Sequence, residues 1–259
     1  MKKKFISSGK PLLVAMISSK TKIDMITDIT TALYDGADAF GIALCNIKSE
    51  YRNKAALSEI FAACAGKPIY MFSYPTSESA ELTHEECAEY MLEAAEYALE
   101  CGPVLCDIMC DQYRKCENGF CYDKDIADRQ IELAEKIHKM GAEVLYSVHH
   151  KDFLGEEEII RQAKEQVARG ADVVKLVTLA NTRSELSENI KIINRLKEEL
   201  DRPFLYLSSG RYSYQIRQLG PSFGVCMYLC VDGYNEFSTR LQPSLSSCKA
   251  IRDNSIIIE

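Results

Sequence analysis

The chain has 259 residues, is 47% hydrophobic and 27% charged, and carries a formal net charge of -7. That balance is ordinary for a globular domain, its acidic excess argues against nucleic acid as a partner, and no apolar run is long enough to cross a bilayer. Met1-Lys2-Lys3-Lys4 is basic, but residues 5–9 are too short and polar for a signal-peptide core, so the eleven cysteines read as reduced thiols of a cytoplasmic protein.

Residues 1–10 read as an N-terminal extension. Short apolar runs then alternate with helical patterns. The expected strands are 12–17, 39–44, 68–74, 104–110, 144–150, 173–179, 203–209 and 224–230. Between them lie amphipathic stretches at 83–100, 125–140, 156–169 and 184–200, with apolar residues at i, i+3, i+4 and i+7. Gly36-Ala37-Asp38, Gly141-Ala142-Glu143 and Gly170-Ala171-Asp172 each supply a helix stop and a turn into the next strand. Eight βα units with strands buried on both faces predict an α/β fold, a single (β/α)8 barrel domain over residues 1–259. Such a barrel works at the C-terminal ends of its strands. Those ends carry Tyr74, Cys110, His149, His150, Lys175, Thr178, Ser208 and Ser209.

Lys175 lies within Asp172-Val173-Val174-Lys175-Leu176-Val177-Thr178-Leu179. An ammonium in a buried strand is costly without a partner. One escape is a lowered pKa, which leaves an amine nucleophilic toward carbonyls. The other is a strand-end lysine whose stem lets the charge reach water. One strand earlier, the run Tyr146-Ser147-Val148-His149-His150 places two of the four histidines side by side. Alternation admits only one of them to the interior. With Ser147 and His149 inward, a base of near-neutral pKa sits beside the amine; a surface histidine pair is the other reading. Cys106, Cys110, Cys116 and Cys121 fall in one strand and its loop. They lack the paired C-x-x-C spacing of a zinc or iron–sulfur site, so small core or loop thiols are expected and no metal.

Together, the strand order, the segment from Ser147 to Asp152-Phe153 and the Val174-Lys175 strand resemble the type I 3-dehydroquinate dehydratases over essentially the whole chain. The resemblance implies that Lys175 forms an imine with a substrate ketone and that His149 removes the adjacent proton. It implies that Glu78, after the third strand, orients the histidine. Ser208-Ser209-Gly210-Arg211-Tyr212-Ser213-Tyr214-Gln215-Ile216-Arg217 keeps the first serine, the glycine and the arginine of the family's Ser-Met-Gly-x-x-Gly-x-x-Ser-Arg. Arg217 is thereby implied to bind the substrate carboxylate, a sound role for a bidentate donor. Ser238-Thr239-Arg240-Leu241-Gln242 keeps the serine and glutamine of a lid that also touches that carboxylate. Tyr74 stands where the family has an arginine, and Gly41, Ala43 and Cys45 replace its Glu-x-Arg-x-Asp on the second strand. Read as three inward positions, they predict a small apolar wall with room for a bulkier or less hydroxylated substrate. Segment 113–125 reads as a longer loop over the barrel mouth.

The implied activity is dehydration of a carboxylate-bearing cyclic ketone, with no cofactor and a homodimeric assembly. The same imine serves other Schiff-base lyases or aldolases, and a non-catalytic carboxylate-binding barrel or a cysteine-loop metalloprotein remain open.

Overall fold

A computed structural model describes residues 4–7, 9–75, 82–236 and 238–255. Strands and helices alternate through it: β1 Leu12–Ile17, α1 Lys22–Tyr34, β2 Ala39–Ala43, α2 Lys54–Ala63, β3 Ile69–Phe72, α3 His84–Leu99, β4 Val104–Met109, α4 Lys124–Met140, β5 Glu143–His149, α5 Glu156–Ala168, β6 Val173–Leu179, α6 Arg183–Glu199, β7 Phe204–Ser209, α7 Ser213–Leu219, β8 Met227–Cys230 and α8 Leu245–Asn254. The strands are parallel in the order β7-β6-β5-β4-β3-β2-β1-β8. At the seam, β7 and β8 share no ladder among the described residues. The Cys226 N–H, just before β8, donates to the Phe204 carbonyl at 2.9 Å. The result is a nearly closed (β/α)8 barrel.

The Gly-Ala-acid punctuation has two structural jobs. Gly36, Gly141 and Gly170 all take positive φ, the left-handed conformation that ends a helix. The acid that follows each then latches the bottom of the barrel. Asp38 Oδ2 accepts from the Leu13 N–H at 2.9 Å, and Asp172 Oδ2 from the Val144 N–H at 2.9 Å. Glu143 Oε2 accepts from the Phe5 N–H at 2.5 Å. Phe5, within the segment expected as an extension, is fully buried in the core.

Helix starts are capped as their sequences specify. Thr83 with Glu86 and Thr182 with Glu185 form complete capping boxes at α3 and α6. Strand ends differ from expectation where the chain turns early. β2 stops at Ala43 because Leu44–Asn46 winds into a 3-10 turn, which takes Cys45 out of the strand. β8 begins only at Met227, since a 3-10 turn at Gly220–Phe223 and a left-handed Gly224 occupy the residues before it.

Candidate active site

Alternation along β6 sends Lys175 into the barrel, where it is only 4% exposed. Its Nζ lies 3.0 Å from Asp107 Oδ2 on β4 and 2.9 Å from the Tyr70 hydroxyl on β3. The Tyr70 hydroxyl also donates to Asp107 Oδ2. The Tyr74 hydroxyl donates to the same oxygen at 3.1 Å, and Ser147 Oγ donates to Oδ1 at 2.5 Å. Lys175 therefore does not snorkel to solvent. A buried carboxylate supplies the partner that the desolvated ammonium needs. Gln166 on α5 fixes the lysine's backbone from behind. Its Oε1 accepts from the Lys175 N–H at 3.1 Å, and its Nε2 donates to the Lys175 carbonyl at 3.3 Å.

His149 ends β5 in register with Val177 on β6, two residues above the Ser147–Lys175 pair. It keeps contact with water through the open mouth, whereas His150 turns away into the wall and meets Gln162 Oε1 at 2.8 Å. The inward–outward assignment of the two histidines thus follows the strand alternation. One edge of the imidazole meets water, but the dense barrel wall around the rest of the ring desolvates its charged form, and this, followed by the Lys175 charge, holds the His149 pKa below its ordinary value. Arg217, on α7, is 8% exposed and donates through Nε to the Ser208 carbonyl at 2.9 Å. Burial pushes its pKa down to about 10, which leaves it charged at neutral pH. Among the described residues no carboxylate pairs with this guanidinium. Ser208 Oγ is buried and likewise finds no hydrogen-bond partner there.

Of the other expected site residues, Tyr74 joins the cluster through Asp107. Ser238 and Gln242 lie in the loop after β8. Ser238 Oγ donates to Asn235 Oδ1 at 2.8 Å, and the Gln242 carbonyl accepts from the Tyr234 hydroxyl at 2.5 Å. That loop is tied to α7 by the Tyr214 hydroxyl, which donates to the Arg240 carbonyl at 2.8 Å. The structure gives neither Ser238 nor Gln242 a direct contact with Lys175 or His149. Glu78 lies outside the described residues.

The roomy apolar wall expected from Gly41, Ala43 and Cys45 is not present in that form. A Cβ at Gly41 would lie 2.3 Å from Met16 Sδ and 3.1 Å from Tyr70 Cδ1. Met16 and the Tyr70 ring therefore fill the space that the missing side chain vacates. Cys45 sits in the 3-10 turn, not on the strand.

The matching family model, type I 3-dehydroquinase, covers residues 13–233. The chain belongs to the type I 3-dehydroquinase family. Membership makes it a lyase of the dehydratase kind. A 3-dehydroquinate dehydratase from Listeria innocua is 25% identical over 184 residues, 70% of this chain and 67% of that protein. Among solved structures, the 3-dehydroquinate dehydratase of Geobacillus kaustophilus HTA426 superposes with a TM-score of 0.78 at 12% identity, covering 96% of this chain and 92% of the other. A type I enzyme from Clostridium difficile, with covalent modified comenic acid, gives 0.76 at 17% identity, with 98% of each chain covered. At such identities the structural likeness speaks for the barrel alone.

Sequence reasoning missed two members of this dehydratase's polar cluster. Asp107 sits in Val104-Leu105-Cys106-Asp107-Ile108-Met109, a charge in an apolar strand. It is the same anomaly that singled out Lys175, and it was legible on the same grounds. Tyr70 gave no such signal, since tyrosine is common in buried strands. The cysteines of this region divide into two sets: Cys106 and Cys110 are buried in the core, whereas the buried Cys121 and the partly exposed Cys116 lie against each other beside Arg114. The expected loop 113–125, whose last two residues open α4, packs against the C-terminal end of the histidine strand, where a Cβ on Gly119 would meet the His149 carbonyl at 2.8 Å.

Proposed function

We propose that the chain dehydrates 3-dehydroquinate, or a related less hydroxylated carboxylate-bearing cyclic ketone, through an imine on Lys175. The carrying observation is the placement of Lys175 Nζ in a closed polar cluster beneath the mouth, with Asp107 at 3.0 Å and His149 at the adjoining strand end. The amine attacks the ketone carbon and water leaves, giving an iminium. This electron sink acidifies the neighbouring carbon. Neutral His149 takes that proton. The carbon–oxygen bond one position further breaks, and the protonated imidazole supplies the proton with which hydroxide departs as water. Hydrolysis of the imine then frees the conjugated product and restores the lysine. Arg217, a buried cation that no carboxylate pairs among the described residues, holds the substrate carboxylate. Glu78 orients the histidine, and Ser208, Ser238 and Gln242 complete the carboxylate site when the β8 loop meets substrate.

The test is conversion of 3-dehydroquinate to 3-dehydroshikimate, followed by the absorbance of the conjugated product. Wild-type protein turns over and Lys175→Ala loses at least about a thousandfold, the scale of a removed covalent catalyst. Folded wild-type protein that leaves 3-dehydroquinate unchanged rules out that substrate.

A further inference from the structure

We propose that Tyr70 is a catalytic residue whose phenol carries protons between the Lys175 amine, Asp107 and the ketone oxygen while the imine forms and breaks. The inference rests on the imine reading above and deepens it.

Tyr70 is fixed at this point by its neighbours. In the ladder it stands between Gly41 on β2 and Leu105 on β4. The absence of a side chain at Gly41 gives its ring the space it occupies, since a Cβ there would lie 3.1 Å from Cδ1. Its ring also lies beside the ammonium, with Nζ 5.5 Å from the centroid. The hydroxyl touches the reacting nitrogen itself, at 2.9 Å. It has one proton to give, and Asp107 Oδ2 accepts it. Its lone pair is thus left to accept from Nζ. One hydroxyl accepting from the amine and donating to a carboxylate is a relay in its resting geometry.

Burial and the adjoining carboxylate hold the phenol proton on, with its pKa raised well above the usual value. The relay therefore runs by exchange rather than through a phenolate. As Tyr70 takes a proton from Nζ, it passes its own to Asp107. The protons balance without outside help. An ammonium and a ketone become an iminium and water, so two of the three N–H protons must travel to the ketone oxygen while the third stays on nitrogen. The C–N bond forms as the C=O π bond breaks, and the first transferred proton makes the carbinolamine hydroxyl. The second converts that hydroxyl to water, which leaves as the C=N bond forms. Asp107 holds each proton between steps. Tyr74 and Ser147 keep that carboxylate in place throughout.

The test is Tyr70→Phe, which removes one oxygen and keeps the ring. Borohydride is added to enzyme and 3-dehydroquinate at successive times, and the reduced adduct is measured by intact mass. The expected result is an adduct that forms at least tenfold more slowly than in wild type, with kcat lowered in step and KM within about twofold. A merely structural role would shift thermal stability and leave the rate of adduct formation intact. Adduct formation at the wild-type rate in Tyr70→Phe overturns the relay. Absence of any adduct in wild type with 3-dehydroquinate and with less hydroxylated carboxylate-bearing cyclic ketones instead removes the imine reading, and the relay falls with it. If Tyr70→Phe does not fold, wild-type adduct formation in heavy water decides. Slowing by about twofold or more supports proton transfer through this chain, and equal rates in the two solvents contradict it.

Discussion

At the residue scale, the site is a problem of unlike charges in a dry place. Asp107 Oδ2 receives Lys175, Tyr70 and Tyr74, and Oδ1 receives Ser147. The two halves of the ion pair are therefore not equivalent. Removing Asp107 strands a buried ammonium with one phenol, whereas removing Lys175 leaves a carboxylate with three hydroxyl donors. Breaking a buried pair costs about 3–5 kcal/mol when the remaining charge is uncompensated. Urea unfolding of Asp107→Ala is expected to show a loss in that range, and of Lys175→Ala a clearly smaller one. Equal losses would mean that the hydroxyls contribute little. His149 gives a pH prediction with a definite sign. Its pKa lies below the ordinary 6.5, so the proposed base stays neutral as pH falls through 6.5 and is lost only at the lower value. The acid limb of kcat/KM, which reports free enzyme, should lie below 6.5. A limb at or above 6.5 would show that another group acts as the base.

At the scale of elements, each functional group is held by a backbone that something else restrains. Gln166 grips Lys175 from α5 through both its N–H and its carbonyl. Gly119, at φ 66°, lets the loop before α4 close against the His149 carbonyl. Gly119→Ala adds left-handed strain and a steric contact at the histidine's own peptide. It is expected to destabilise the fold by about 1–2 kcal/mol and to lower kcat more than KM. Steady-state kinetics on the folded variant check this, and an unchanged kcat would detach the loop from the base. The elements themselves were largely legible. Each Gly-Ala-acid turn announces a helix stop, and β1 and β6 are the very runs that their apolar patterns mark. Lys175 and His149 were legible because each is a local anomaly, a charge in an apolar strand and a histidine at a predicted strand end. Arg217 emerged only through the spacing of a family motif. Tyr70 and the Met16 side chain that fills the place beside Gly41 were hidden, because contacts across three strands depend on rotamers that periodicity does not encode. The early end of β2, which removes Cys45 from the wall, rests on one 3-10 turn and had no composition signal.

At the scale of the whole molecule, the seam between β7 and β8 and the buried Phe5 side chain define how the barrel is finished. The segment 4–7 is better described as part of the domain than as an appendage: Phe5 is fully buried, and its N–H meets Glu143 at the bottom of β5. Phe5→Ala is expected to lower unfolding free energy by about 3 kcal/mol or more, the cost of emptying a buried aromatic site, while kcat stays near wild type because the change is at the face opposite the chemistry. A loss below about 1 kcal/mol in chemical denaturation would return the segment to the status of an extension. Phe5 thus contributes stability at the face opposite the proposed chemistry, the face where this architecture generally carries stability rather than catalysis.

The most direct test of the account is the site of covalent attachment. Protein incubated with 3-dehydroquinate, reduced with borohydride, digested and sequenced by mass spectrometry should carry the substrate-derived mass on Lys175 alone. Turnover of 3-dehydroquinate with Lys175 unmodified under the same reduction, or an adduct on a different lysine, would contradict it.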